Sequence, residues 1–263
     1  GCAEAALMPM RALFTTSWDD GHPLDARVAE MLSRQGFPAT FYVPVSNRDG
    51  QPVMSLESLR RVDQAFEIGS HTIDHCYLGT VPAEEARRQI EGGKHQLEQL
   101  LGHGVSGFCY PGGHCTMEHR RMVAEAGFEY ARTSTGFHST LPDDPFLMPT
   151  TIQFYPHTRP VRVRQFLGRG GWRRRTALFG VAVGRGDFMS RLRGMLDHVC
   201  RHGGVFHLWG HSWEVGEFDG WRRLETFLRY AADRIPAERR LSNRAVWQQA
   251  GQGLTQPLVH SGP

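Results

Sequence analysis

Lysine is nearly missing from this chain: Lys94 is the only one among 30 basic residues, and all the others are arginine. The bias runs through the whole sequence, so it reads as composition rather than as a site. Net charge is also small. A formal +3 over 263 residues does not make the basic surface that nucleic-acid binding requires, and no nucleic-acid partner is expected. The five cysteines (Cys2, Cys76, Cys109, Cys115, Cys200) are scattered and odd in number, with no Cys-x-x-Cys pair. Neither a disulfide framework nor a structural zinc knot is indicated. No apolar run approaches the roughly 18 residues of a membrane helix. The opening Gly1–Leu7 lacks the charged and apolar pattern of a secretory leader, which makes a cytoplasmic location the expectation. Internal repeats and low-complexity tracts are absent as well.

The chain does hold enough apolar residues, 40%, for a sizeable core. Strand candidates fall at 11–18, 39–45, 66–71, 105–110, 129–134, 148–155 and 204–210. Helix candidates fall at 24–35, 55–65, 82–101, 115–126, 187–202, 219–234 and 242–250. Leu24, Val28, Met31 and Leu32 show helical spacing before Gly36, and Pro82 stands at a helix start. Strand–helix alternation of this kind builds a parallel sheet, open or closed into a barrel, and about seven units fit the length. The expectation is a single domain over 1–263 with a core of about 11–235. Residues 156–186, crowded with arginine and glycine, break the rhythm and read as a long loop with a short helix inside.

Chemistry concentrates at predicted strand ends. The first strand runs into Ser17-Trp18-Asp19-Asp20-Gly21. Adjacent carboxylates repel, and the pair makes sense if one holds a metal and the other handles a proton. Gly21 allows the sharp turn behind them. His71 and His75 follow the third strand at a spacing that places two imidazoles on one face of a helical turn. Two histidines and a carboxylate suit one divalent ion, with zinc ahead of cobalt, nickel or iron. The fourth strand ends in Phe108-Cys109-Tyr110-Pro111-Gly112-Gly113. Its proline and glycines let backbone approach a ligand, and the Gly112 N–H is placed to meet a developing oxyanion. In Val205-Phe206-His207-Leu208-Trp209-Gly210-His211-Ser212-Trp213-Glu214, alternation puts His207, Trp209 and His211 on one face. His211, nearest the mouth, is the candidate general acid; His207 lies deeper, behind the site or in the core. Trp209 and Trp213 offer flat faces to a sugar.

The order TxxWDDG, HTxxH, FxYPxG and LxGHSWE resembles the polysaccharide deacetylase family, the NodB homology domain of carbohydrate esterase family 4, over roughly residues 11–214. The resemblance implies a distorted (β/α)7 barrel and removal of an N-acetyl group from an amino sugar. Matched motif by motif, it makes Asp20, His71 and His75 the metal ligands, Asp19 the base and His211 the acid. Gly112 becomes the oxyanion donor, with Tyr110, Pro111, Trp209 and Trp213 around the substrate.

Two departures stand out. The family's third motif often begins with an arginine beside the base, and here that position is Cys109. Arg132, at the end of the fifth strand, is the expected source of the missing charge. The family's Asp-rich fourth motif is not evident, and the HSWE ending resembles the branch that includes cyclic-amide hydrolases. The HSWE ending and the lack of a visible secretion signal favour a small, nucleotide-linked or carrier-linked sugar, with a phosphate for the 156–186 arginines, over a cell-wall polymer. The alternatives are hydrolysis of a formyl-amino sugar or a cyclic amide, and an inactive carbohydrate-binding relative.

Overall fold

The first strand, β1 (Ala12–Asp19), is buried along nearly its whole length, as a run of apolar and threonine residues in the middle of a parallel sheet must be. The computed structural model describes residues 12–168, 172–184 and 186–254, leaving aside the side chains of Arg173, Arg174 and 250–254. The leader reading, Cys2, Arg169, Gly170, Gly171 and Arg185 lie outside those residues.

Seven further strands follow: β2 (Thr40–Val43), β3 (Glu67–Ser70), β4 (Gly107–Cys109), β5 (Tyr130–Arg132), β6 (Ile152–Gln153), β7 (Gly204–His211) and β8 (Arg240–Leu241). The helices are α1 (Asp25–Gln35), α2 (Leu56–Asp63), α3 (Ala83–Leu101), α4 (Met117–Glu125), α5 (Arg159–Leu167), α6 (Trp172–Val183), α7 (Phe188–His202), α8 (Gly220–Ala232) and α9 (Asn243–Leu254). All pairings are parallel, in the order β5-β4-β3-β2-β1-β7-β6. The alternation implied a parallel sheet of about seven units, and the arrangement is the distorted (β/α)7 barrel that the resemblance implied.

The barrel is completed by an irregular segment. Met148 N–H donates to Ala131 O on β5, and Thr133 N–H donates to Met148 O, both at 2.9 Å. A few residues on, Thr151 and Phe154 N–H groups donate to His207 and Trp209 of β7. The strand expected over 148–155 therefore shrinks to the two residues of β6, because its first half has crossed to the other neighbour. β8 was not foreseen. It pairs with Phe14 and Thr15, on the edge of β1 that β2 leaves uncovered below Ser17.

Strand alternation sorts the core into two parts. Phe14, Trp18, Phe41, Ile68, Phe108, Phe206 and Leu208 face outward into the helices, where Val28, Leu32, Ile90, Leu196 and Leu224 meet them. Tyr42, Cys109, Tyr130, Met148 and Val205 fill the inside. Polar groups inside are paired across the barrel: Thr15 Oγ1 donates to Asn243 Oδ1 at 2.8 Å, and Asn243 Nδ2 to the Tyr42 hydroxyl at 2.9 Å. The α1 stripe ends at Gly36, left-handed at φ 68°, as its sequence implied.

The 156–186 segment corrects the sequence reading. It forms two helices, α5 and α6, rather than a long loop. Phe166 and Leu178 are buried, and the Phe166 and Phe179 rings stack at 3.9 Å. The wholly buried Arg175 donates to the carbonyls of Gly136, Phe166 and Gln165. Arginine and glycine content concealed an aromatic clasp.

Gly21 closes the turn after β1 at φ 59°, and a Cβ there would lie 2.7 Å from Val43 Cγ1. Gly21→Ala therefore meets both left-handed strain and a packed strand. It should cost about 2 kcal/mol, or roughly 4–8 °C in thermal denaturation. An unchanged melting temperature would show that the turn is not under this constraint.

Candidate metal centre and active site

Asp19 is the last residue of β1, and Asp20 follows with φ at 77°. That left-handed step sends the two carboxylates apart, which relieves the repulsion between neighbours. Asp19 turns toward β5, where Arg132 Nη2 donates to its Oδ1; both residues are buried. Cys109 Sγ donates weakly to Asp19 Oδ2 at 3.8 Å. Burial pushes the Cys109 thiol well above its ordinary range, although Arg132 pulls the other way, so it stays protonated. Arg132 in turn lies over the Trp209 ring at 4.9 Å and the Tyr42 ring at 5.3 Å.

Asp20 faces the histidines. Its Oδ1 lies 3.6 Å from His71 Nε2 and 3.3 Å from His75 Nε2. That oxygen is buried and accepts no hydrogen bond, whereas Oδ2 accepts from Trp213 Nε1 at 2.9 Å. Burial alone would raise the Asp20 carboxyl, but His211, His71, His75 and the Trp213 bond hold it below its usual value.

The two imidazoles are oriented from behind. His71 Nδ1 lies 2.8 Å from the Cys109 carbonyl oxygen, which can only accept, so Nδ1 carries the hydrogen and Nε2 keeps its lone pair. His75 Nδ1 lies 3.3 Å from Asp49 Oδ2. Burial brings His71 down to about 4 despite the opposing pull of Asp19, so it is neutral at physiological pH. A buried carboxylate oxygen without a donor, facing two imidazole lone pairs, fits a divalent cation and no neutral ligand as well. Asp19, His71 and Cys109 also lie close enough to share an ion. That set is the poorer one, since its thiol is held protonated and its carboxylate is already bonded to Arg132.

The His71–His75 segment is not the helical turn that its spacing implied. Thr72 and His75 are left-handed, at φ 70° and 62°. The turn is clamped from two sides. Ser46 N–H donates to Ile73 O, and Arg48 N–H to Asp74 O. Gln89, wholly buried on α3, accepts from Ile73 N–H at 3.1 Å and Asp74 N–H at 3.3 Å through its Oε1.

His211 ends β7 in register with Asp19. Its Nδ1 lies 2.8 Å from Glu214 Oε2, and its Nε2 lies 3.9 Å from Asp20 Oδ2. Gln153 Nε2 donates to the same Glu214 oxygen at 3.0 Å. Burial opposes the charged ring, but the Glu214 bond and the two aspartates outweigh it and push His211 up to about 9. His207, two residues deeper, is buried against Ser17 Oγ and the Pro149 carbonyl and falls to about 3.

A cavity of about 280 Å³ gathers Asp19, Asp20, His71, His75, Arg132, His211, Gly112, Trp209 and Trp213. Gly112 sits in a tight turn at φ 67°, against Tyr77. Pro111 and Tyr110 do not line it: Pro111 is buried, and the Tyr110 ring packs on Phe108 in the core. Tyr110 shares the outward face of Phe108, two residues before it, and Pro111 opens the tight turn that follows. Trp213 is tied edge-on to Asp20 and stacks on His211 at 5.4 Å, so it orders the site besides offering a face. One face of Trp209 is taken by Arg132.

Sequence reading missed Glu214, Gln89 and Asp49. Only Glu214 had a signal, its place three residues after His211. Gln89→Leu would leave two backbone N–H groups without an acceptor and loosen the histidine turn. It should weaken divalent-metal affinity by about 10- to 100-fold, measured by titration against a chromophoric chelator. Unaltered affinity would remove Gln89 from the positioning of the ligands.

Comparisons with known proteins bear on the fold. Residues 11–131, somewhat under half of the chain, match the family model for polysaccharide deacetylase. No curated protein matches by sequence. Among solved structures, a polysaccharide deacetylase candidate from Mycobacterium smegmatis superposes with TM-score 0.65 at 16% identity, over 97% of this chain and 95% of that one. The Bc1960 peptidoglycan N-acetylglucosamine deacetylase superposes with TM-score 0.53 at 16% identity, over 90% and 89%. At these identities the likeness is one of fold. The match to Streptococcus pyogenes deacetylase PplD, at TM-score 0.46 and 15% identity, covers 51% of this chain and only 62% of that one. With Bacillus cereus BC0361, at TM-score 0.44 and 21% identity, it covers 51% of this chain and 45% of that one.

Proposed function

We propose that this chain, which carries the polysaccharide deacetylase pattern over residues 11–131, is a metal-dependent hydrolase that removes the acetyl group from an N-acetyl amino sugar. The observation that carries this reading is the donorless Asp20 Oδ1 facing His71 and His75 Nε2, with Asp19 and His211 in the same cavity. Asp20, His71 and His75 would hold the ion. A divalent cation there supplies Lewis acidity, drawing electron density from a carbonyl oxygen and acidifying water.

The residues divide the remaining work. Asp19 takes a proton from the attacking water, and its Arg132 partner holds the carboxylate in one orientation. The water oxygen bonds to the amide carbon. Gly112, lining the cavity, is the backbone position for the oxyanion that develops there. His211, kept charged by Glu214, gives its proton to the amine nitrogen as the carbon–nitrogen bond breaks. Acetate and a free amine leave.

Incubating the purified protein with zinc, cobalt, nickel or iron and N-acetyl sugars, free, nucleotide-linked and polymeric, should release acetate in a chelator-sensitive way. Formate release or ring opening from other amides, with no acetate, would place the activity elsewhere. Asp19→Asn should retain one metal per chain while turnover falls by roughly 10³-fold or more. Loss of metal together with activity would make Asp19 a ligand instead.

The proton on His211 gives a pH signature. A donor raised to about 9 is charged below that pH and fails as pH climbs through it. The activity should therefore have an alkaline limb. A cation on Asp20 offsets the aspartates' share of the shift but leaves the Glu214 bond in place. Glu214→Gln removes that charge, so its alkaline limb should move to lower pH in kcat profiles. An unmoved limb would disconnect His211 from proton donation.

A further inference from the structure

Beside the proposed metal centre lies a second cavity, of about 120 Å³, whose wall includes Arg162, Arg191, His157 and Phe137. It shares Ser134 and Trp209 with the first, so the Trp209 side chain stands where the two meet. Two arginines in one small cavity need counter-charges, and neither has one within 4 Å among the described residues. Arg162 is more than nine-tenths buried. One of its nitrogens, Nη1, donates to the His157 carbonyl, while its buried Nε has no partner. Arg191 donates to the Gly186 carbonyl at 2.6 Å. Asp187, the nearest acid in sequence, spends its side chain on the first turn of α7, where Oδ1 accepts from Ser190 N–H at 2.7 Å.

Arg175, on the same stretch of chain, provides the contrast. It is buried more deeply, but three carbonyls take its nitrogens, as expected of an arginine that serves the fold. Arg162 is different: burial and the neighbouring charges of Arg191 and Arg159 all act against its own charge. A guanidinium kept among like charges is costly unless an anion joins it.

We propose that this cavity is an anion subsite for the substrate, so that the amino sugar carries a phosphate or carboxylate that Arg162 and Arg191 bind while the acetamide reaches the metal centre. The inference rests on the deacetylase reading for the group that is cleaved. The anion recognition itself stands on the arginine pair alone. Arginines bind both oxyanions in planar, two-bond geometry, and a substrate anchored on both sides of Trp209 would be fixed in orientation before reaction.

The test compares kcat/KM for N-acetylglucosamine, N-acetylglucosamine 1-phosphate and N-acetylmuramate in the metal-loaded enzyme. One of the two anionic sugars should exceed the neutral one by about tenfold or more, and which one does separates phosphate from carboxylate. Arg191→Gln, on a half-exposed position that should tolerate change, should bring the ratio close to one. Arg162→Gln should do the same. Calorimetry with inorganic phosphate and with the sugar phosphate should show binding in the wild type and its loss in Arg191→Gln. Equal kcat/KM for all three sugars, with no phosphate binding, would overturn the subsite and leave the deacetylase reading intact. Arginine-dependent binding of the sugar phosphate without acetate release from any sugar would support the subsite and count against that reading.

Discussion

The ion pair between Asp19 and Arg132 is the constraint on which the site depends. β1 and β5 are not neighbours in the sheet, so the guanidinium reaches across the barrel interior to the carboxylate. A buried pair of this kind contributes little net stability over an apolar substitute, yet losing one partner leaves the other charge stranded, at about 3–5 kcal/mol. Its value here is positional. With one oxygen bonded to Arg132, Asp19 is the less available of the two carboxylates, and Asp20 keeps an oxygen without a donor beside His71 and His75. The left-handed backbone at Asp20 completes the separation. Adjacent carboxylates thereby acquire different surroundings: one sits beside a fixed cation, the other beside two imidazoles.

Where the resemblance would have placed an arginine, this chain has Cys109, and the guanidinium beside Asp19 comes from Arg132. Cys109 and Arg132 are register partners on adjacent strands, β4 and β5. The guanidinium thus stands one strand over from Cys109, at the same level of the barrel. A thiol in place of a guanidinium leaves room for the longer reach, and Tyr42 and Trp209 cover the displaced arginine with their ring faces. Because the thiol stays protonated, it donates toward Asp19 instead of competing with it.

What could be read from the residues alone followed from period and from chemistry. Short apolar runs alternating with amphipathic stretches announced buried parallel strands, and the Asp19-Asp20-Gly21 end with two later histidines pointed to a cation. The spacing of His71 and His75 suggested a helix, but the turn between them is held by Gln89, sixteen or so residues on, and nothing in local sequence marks that contact. Asp49 is farther still, 26 residues before the histidine that it orients. Glu214 lay in plain view beside His211 but was read as part of a family ending, because a carboxylate three residues from a histidine becomes its partner only if the chain turns back there. In the 156–186 stretch, arginine and glycine outweighed Phe166, Leu178 and Phe179, whose packing makes two helices. β8 is two residues long and exists only because β2 leaves part of β1 uncovered.

The irregular closure of the barrel shapes the space beside β7. A regular sixth strand would pair with β5 and β7 along its length and pack its neighbouring helix directly against the mouth. Here the segment from Met148 to Phe154 bonds first to one side and then to the other. The space beside β7 is covered instead by α5 and α7, which bring Arg162 and Arg191 to the cavity. Trp209 is then the partition: Arg132, which orients Asp19, lies over its ring, and its side chain also lines the arginine cavity. The residue that packs against the Asp19–Arg132 ion pair is thus also part of the neighbouring wall. Displacing Trp209 would disturb both places at once, because the indole supports a buried cation as well as dividing two cavities. Positioning of the proposed base and shape of the adjoining pocket are therefore coupled through one aromatic ring.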